Sequence, residues 1–186
     1  MIRLTAKIVS FFMPTKNLRK KTRRYVEISL YTASARRRAK SFGQGSIVTY
    51  NGHLSRNTVV GCNTSISSIS ILGEGSVVIG DNVSLGPNLT IQTQNHKYES
   101  DLLPYGHGFD AKDVYIDDCV WIGMNVMLLP GTHIGEGAII QAGSVVHGEI
   151  PSCAIAGGNP AKVFAWRDKD RYAELCSEKK FFIHNS

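Results

Sequence analysis

The side chains best suited to moving protons at neutral pH are six histidines: His53, His96, His107, His133, His147 and His184. An imidazole can take the proton of a hydroxyl while that hydroxyl attacks an activated acyl group. His96 and His107 lie in Gln92–Asp113, the one long stretch where an otherwise regular pattern gives out. His96 stands at its mouth. By position alone, a general base and a solvated loop histidine fit His96 equally. His107, farther into the segment, could touch an acceptor. His53, His133 and His147 fall at or near bends of the pattern, where a solvated turn residue is the better reading, and His184 is in the tail. Asn95, Glu99 and Asp110 are polar neighbours that could orient a base, or be plain loop residues. The four cysteines, Cys62, Cys119, Cys153 and Cys176, form no Cys-x-x-Cys pair. They read as buried small hydrophobes in a reduced cytosolic protein rather than nucleophiles or metal ligands. No metal is expected. No glycine-rich phosphate loop stands between a strand and a helix, so nucleotide hydrolysis and NAD chemistry are not expected.

What must position these residues is a repeat of six. From Phe42 the sequence steps through Val48, Leu54, Val60, Ile66 and Leu72. After one extra residue it resumes at Ile79, Leu85 and Ile91, and after the interruption at Ile116, Ile122, Leu128, Ile134, Ile140 and Val146. Three residues after most of these stands Gly or Asn: Gly45, Asn51, Asn57, Asn63, Gly75, Asn82, Asn88, Asn125, Gly131, Gly137 and Gly143. Those two types enter the left-handed backbone region at least cost. A bend every six residues, each needing positive φ, explains both the period and the glycines, all of which lie between Gly43 and Gly158. A helix has a period of 3.6 and would be weakened by this much glycine. A sandwich would vary its strand lengths. The repeat predicts an all-β solenoid with a narrow apolar core.

The runs Ile116-Asp117-Asp118-Cys119-Val120-Trp121-Ile122-Gly123, Leu128-Leu129-Pro130-Gly131-Thr132-His133-Ile134-Gly135 and Ile140-Gln141-Ala142-Gly143-Ser144-Val145-Val146 resemble the hexapeptide acyltransferase superfamily. So does the closing Ala156-Gly157-Gly158-Asn159-Pro160-Ala161-Lys162-Val163. The likeness spans about residues 42–166 and is closest to the maltose, galactoside and nodulation O-acetyltransferase branch. It implies a left-handed parallel β-helix of triangular section, five regular coils, and a homotrimer with active sites between subunits. It implies acetyl-CoA as co-substrate and gives the catalytic base to His96, with Asn95, Tyr105, His107 and Trp121 near the acceptor. Trp121 would project outward beside His96 if one coil stacks on the next. Trp121, Met124, Ala142, Gly143 and His147 would line the coenzyme A tunnel, with Lys162 at its nucleotide end. Many relatives carry Thr-Lys where this chain has His147-Gly148; Arg167 or Lys169 would then supply the phosphate contact.

Charge divides the chain differently. Residues 1–40 hold twelve lysines and arginines against one acid, Glu27, so the net +6 is a +11 head on a −5 remainder. Ile2, Ala6, Val9, Phe12 and Met13, then Leu18, Tyr25 and Ile28, recur at helical spacing. The predicted parts are a basic helical head (1–41), the β-helix (42–160, loop 97–113) and a helical tail (161–186). The tail helix is expected over Phe164–Lys180, with Trp166, Tyr172 and Leu175 inward. The head suits a cap on the first coil, peripheral attachment to an anionic membrane surface, or attraction to an acidic polysaccharide; no motif points to nucleic acid. No apolar run has transmembrane length and no signal peptide is recognised, so a cytoplasmic protein, peripheral at the inner face of the membrane, is expected.

The resulting expectation is O-acetylation of a sugar hydroxyl on a cell-surface polysaccharide or glycoconjugate, by direct transfer. The alternatives are N-acetylation of a nucleotide-linked amino sugar and a non-catalytic trimeric scaffold. A solenoid carbonic anhydrase would need a His-x4-His zinc pair, and no two histidines have that spacing.

Overall fold

A computed structural model describes residues 1–182. Short strands wind into a three-faced parallel solenoid. The first face stacks Ser41–Phe42, Thr58–Val60, Val77–Ile79, Val114–Ile116, His133–Ile134 and Glu149–Ile150. The second stacks Ile47–Val48, Ser65–Ile66, Ser84–Leu85, Trp121–Ile122, Ile139–Ile140 and Ala154–Gly158. The third carries Ile69–Leu72, Leu89–Gln92, Met127–Leu128 and Val145–Val146. The first face holds six strands because winding continues past Val146, with Ile150 and Ala156 buried. That extends the five regular coils implied by the sequence.

The repeat's apolar residues form the core. Each side chain removed from water there contributes roughly 1.5–3 kcal/mol. All the predicted positions are buried except Phe42, which is half-buried, and Leu72, which is 54% exposed. Leu72 is a correction of register. Ile69–Leu72 runs as an extended strand paired residue for residue with Leu89–Gln92, setting Ile71 opposite the buried Ile91 and Leu72 opposite Gln92. Alternation along that strand turns Ile71 inward and Leu72 outward.

Many predicted bends have the required geometry: Gly45, Asn63, Asn82, Asn88, Asn125, Gly131, Gly137 and Gly143 all have positive φ, while Asn51, Asn57 and Gly75 do not. Cys119 and Cys153, at φ 57° and 60°, occupy equivalent bends after Ile116 and Ile150. Cys153 is buried and Cys119 half-buried. Burial pushes the Cys119 thiol up to about 11.

The head is a helical hairpin. Helix α1 (Ile2–Phe11) ends before Pro14, and α2 (Lys16–Arg38) starts at Thr15, whose side chain accepts from the Leu18 amide at 3.2 Å. Helix α2 closes the first coil: Tyr31 and Ala35 join the core, Val48 N donates to Thr32 Oγ1 at 2.9 Å, and the Arg24 guanidinium donates to Thr49 O at 3.0 Å. The inward residues are Ala6, Ser10, Tyr31 and Ala35, with Ile2 packed against the core. Val9, Phe12, Leu18 and Tyr25, which also recur at helical spacing, are exposed.

At the other end the tail differs from its prediction. Ala161–Trp166 is a strand running antiparallel to Ala154–Gly158, and helix α3 spans only Lys169–Ser177, with Asp168 accepting from the Arg171 amide. The open edge of the second face offers unpaired backbone groups, and pairing with them outweighs helix formation before Lys169. Trp166 is therefore 51% exposed rather than inward, whereas Tyr172 and Leu175 are half-buried. Tyr172 donates to Glu136 at 2.9 Å across Gly137, where a Cβ would stand 2.7 Å from its ring. His184 lies outside the described residues. Among the described residues no helix is long and apolar enough to cross a membrane.

Candidate active site

The interruption is an extruded hairpin at the corner between the third and first faces. The coil reaches Thr93, fully buried, and resumes at Lys112, whose amide donates to Thr93 O at 2.8 Å. Between them Gln94–His96 pairs antiparallel with Phe109–Ala111. His96 faces Phe109 on the outermost rung of that ladder. Two rings hold its imidazole: Tyr105 stacks at 3.9 Å between centroids, 15° from parallel, and Phe109 lies at 4.6 Å, tilted by 39°. Gly106 N donates to Lys97 O at 2.7 Å, closing the inner loop that carries Tyr105. Among the described residues, none hydrogen-bonds the His96 ring. The imidazole is exposed and positioned by ring contacts, and among the described residues its nitrogens have no protein partner.

Phe109 was not singled out from sequence. The signal would have been the ladder itself, which sets Phe109 against His96, but no periodicity marks so short a hairpin. Asn95 is turned aside, its side-chain oxygen accepting from Gln92 Nε2 at 2.8 Å. His107 is exposed and makes no ring contact with His96 in this structure. Of the expected acceptor residues, the hairpin thus brings Tyr105 to His96.

Trp121 does project outward, at 54% exposure, but from the second face, between Ser84 and Ile139. It is not beside His96 within the chain. After the hairpin the backbone crosses the whole first face, through Val114–Ile116, before reaching Trp121. That leaves Trp121 on the face opposite the His96 corner.

The remaining expected residues fall on defined columns. Met124, Ala142 and Gly143 share the corner between the second and third faces, where Gly143 N donates to Met124 O at 2.9 Å. Gly143, at φ 75°, has no heavy atom within 4 Å of where a Cβ would stand, so its backbone is open to close approach. His147 is exposed on the same corner column as the hairpin. Lys162 is exposed on the last strand, opposite Gly157. The Arg167 guanidinium donates to Gly137 O at 2.6 Å, which ties it to the coil, while the Lys169 ammonium stands 4.9 Å from the Trp166 ring centroid.

Two further histidines have partners. His133 is in a strand rather than a bend, and its Nε2 lies 3.0 Å from Asp117 Oδ2, with both side chains nearly half exposed. An exposed pair of this kind contributes little to stability. His53 Nδ1 sits 3.2 Å from the Arg38 guanidinium. Among the described residues no group of three or more histidines, cysteines, aspartates or glutamates could hold a metal.

Three-faced coil, extruded hairpin and terminal strand together define a hexapeptide-repeat fold. Residues 113–148 match the family described as bacterial transferase hexapeptide (six repeats). An Escherichia coli protein provisionally named a lipopolysaccharide-biosynthesis O-acetyltransferase is 33% identical over 141 residues, covering 72% of this chain and 67% of that one. A galactoside O-acetyltransferase of Lactococcus lactis is 38% identical over 96 residues, 52% of this chain and 46% of its own. The chain spans about half the length of several curated relatives it matches. Among solved structures, a hexapeptide-repeat acetyltransferase of Vibrio cholerae, crystallised with acetyl coenzyme A, superposes with a TM-score of 0.65 at 23% identity, over 88% of this chain and 84% of that chain. The chain belongs to the hexapeptide-repeat acyltransferase family.

Proposed function

We propose that the protein is an acetyl-CoA-dependent O-acetyltransferase acting on a sugar hydroxyl of a cell-surface polysaccharide or glycoconjugate, with His96 as general base. The observation that carries this reading is the His96 imidazole. It is exposed, held by Tyr105 and Phe109, and raised on a hairpin where the coil is interrupted. The galactoside and lipopolysaccharide relatives suggest the acceptor class, and the acetyl coenzyme A complex of the Vibrio cholerae neighbour suggests the donor.

In the proposed reaction an imidazole nitrogen of His96 takes the proton of the acceptor hydroxyl as its oxygen bonds to the thioester carbon. The tetrahedral oxyanion then collapses, the carbon–sulfur bond breaks, and the imidazolium returns its proton to the departing thiolate. No acyl-enzyme is needed. Consistent with that, burial raises the Cys119 thiol, the opposite of the lowering that activates a nucleophilic cysteine. The open backbone at Gly143, with Met124 and Ala142 beside it, suits the amide-bearing arm of coenzyme A, and Lys162 or Lys169 suits its phosphates.

The reading includes a homotrimer. Trp121 and the Met124–Gly143 corner stand on other edges of the coil than His96, so a site using all of them would be completed by a neighbouring copy. It also includes work at the inner face of the cell membrane, drawn there by the basic head. The test is an acceptor screen with acetyl-CoA that follows thiol release. Transfer to sugars bearing only hydroxyls is expected. Transfer confined to amino sugars would overturn O-acetylation, and release with no acceptor in a broad glycan set would overturn the acceptor class.

A further inference from the structure

Helix α1 has two apolar sides, and the hairpin uses only one. Ala6 and Ser10 are buried, and Ile2 packs against the core. On the opposite side Leu4, Ile8, Phe11 and Phe12 form a row at helical spacing, 62%, 57%, 69% and 76% exposed. No other part of the described chain covers them. Three large hydrophobes on one short helix, with Phe12 at its C-cap, are more than the scattered exposed apolar residues normal for a soluble surface.

The surroundings of the row are cationic. Lys7 is exposed on α1 itself, and Lys16, Arg19, Lys20 and Lys21 are exposed on the first turns of α2. The Arg19 guanidinium donates to Met13 O at 2.6 Å and lies 5.6 Å from the Phe11 ring centroid, which fixes positive charge at the edge of the row. The head's one acid, Glu27, is engaged by Arg23 at 3.0 Å. A partner for this surface must therefore accept apolar side chains and carry negative charge. The head of another copy has the same +11 and would be repelled.

We propose that the outer side of α1 docks on an anionic lipid bilayer, with Leu4, Ile8, Phe11 and Phe12 in the acyl boundary and the neighbouring lysines and arginines on lipid phosphates. Apolar burial and charge act together: either alone gives marginal, reversible binding, and the pair gives stable attachment. Helix α2 keeps its second role, capping the coil, so attachment does not require the head to leave the solenoid. The inference gives physical form to the proposed place of work and is tested apart from the proposed chemistry.

The experiment is sedimentation of the full chain with vesicles of phosphatidylcholine, alone or mixed with phosphatidylglycerol. The protein should pellet with the mixed vesicles, release progressively as salt is raised, and stay in solution with phosphatidylcholine alone. The double variant Phe11→Ser/Phe12→Ser should partition at least about tenfold more weakly, with unchanged circular dichroism. In a Phe12→Trp variant, bilayer-embedded bromolipid should quench the added fluorescence. Failure of the wild type to bind mixed vesicles, or equal binding by the double variant, overturns the proposal. So does a changed oligomeric state in the double variant, which would assign the row to a second copy. Acetyl transfer to a soluble acceptor, measured on the same samples, reads the catalytic proposal separately.

Discussion

The coil and the hairpin that interrupts it are built on opposite terms. In the coil each apolar side chain is locked between its counterparts in adjacent turns, as Leu128 is between Ile91 and Val146. In the hairpin every residue from Asn95 to Ala111 is exposed except Gly106. His96 is held there by two rings and a short ladder. Stability belongs to the region where the repeat is intact, and the proposed base to the region where it lapses. A coil position facing the core has no room for a substrate, while a position outside the coil gives little to folding.

That contrast predicts unequal responses to substitution. Leu128→Ala, deep in the stack, should lower unfolding free energy by about 3 kcal/mol, read by chemical denaturation. A loss under about 1 kcal/mol would mean that the coil is more loosely packed than described. In the hairpin the effect should move from stability to turnover. Tyr105→Ala should reduce kcat about three- to tenfold with an unchanged melting temperature, the size expected for one lost ring contact. Tyr105→Phe should restore the rate, because the ring remains; a Tyr105→Phe enzyme as slow as the alanine variant would point instead to the hydroxyl as an acceptor contact. At the bends, Asn125→Ala should cost roughly 1–2 kcal/mol because its φ is 55°, and Asn125→Gly much less. Equal costs would show that the side chain rather than the backbone matters there. The smallest effect concerns Cys119. Its alkylation, followed by mass spectrometry, should reach half its maximum near pH about 11, the value to which burial raises the thiol. A midpoint at the ordinary 9.0 would mean that the thiol is open to water.

How far the sequence could be read follows the same division. The coil was legible because one rule, an inward apolar residue every six, governs it. The rule failed at Leu72, where a longer strand alternates in twos and turns Ile71 inward instead. It also passed over Cys119 and Cys153, which take bends usually given to Asn or Gly. The hairpin was legible only as an interruption. Position alone left His96 open between a base and a loop residue, and nothing in the spacing marked Phe109 as its neighbour. The expected contact between Trp121 and His96 did not appear within the chain, because stacking relates residues on one face and these two lie on different sides of the coil. At the ends, the head was legible as a helical segment but its packed side was not, and the tail was legible only from Lys169 onward. Amphipathic spacing shows that a helix has an apolar side without showing which side packs. The unpaired strand edge that draws Ala161–Trp166 into the sheet is a property of the assembled coil.

The central claim is that a side chain contributing nothing to the coil performs the proton transfer. The most direct test compares His96→Ala with the wild type, in thiol release from acetyl-CoA with a soluble sugar acceptor and in thermal unfolding of the same samples. The account predicts a fall in kcat/KM of at least about a hundredfold with the melting temperature unchanged. Near-wild-type turnover by a folded His96→Ala protein would contradict it.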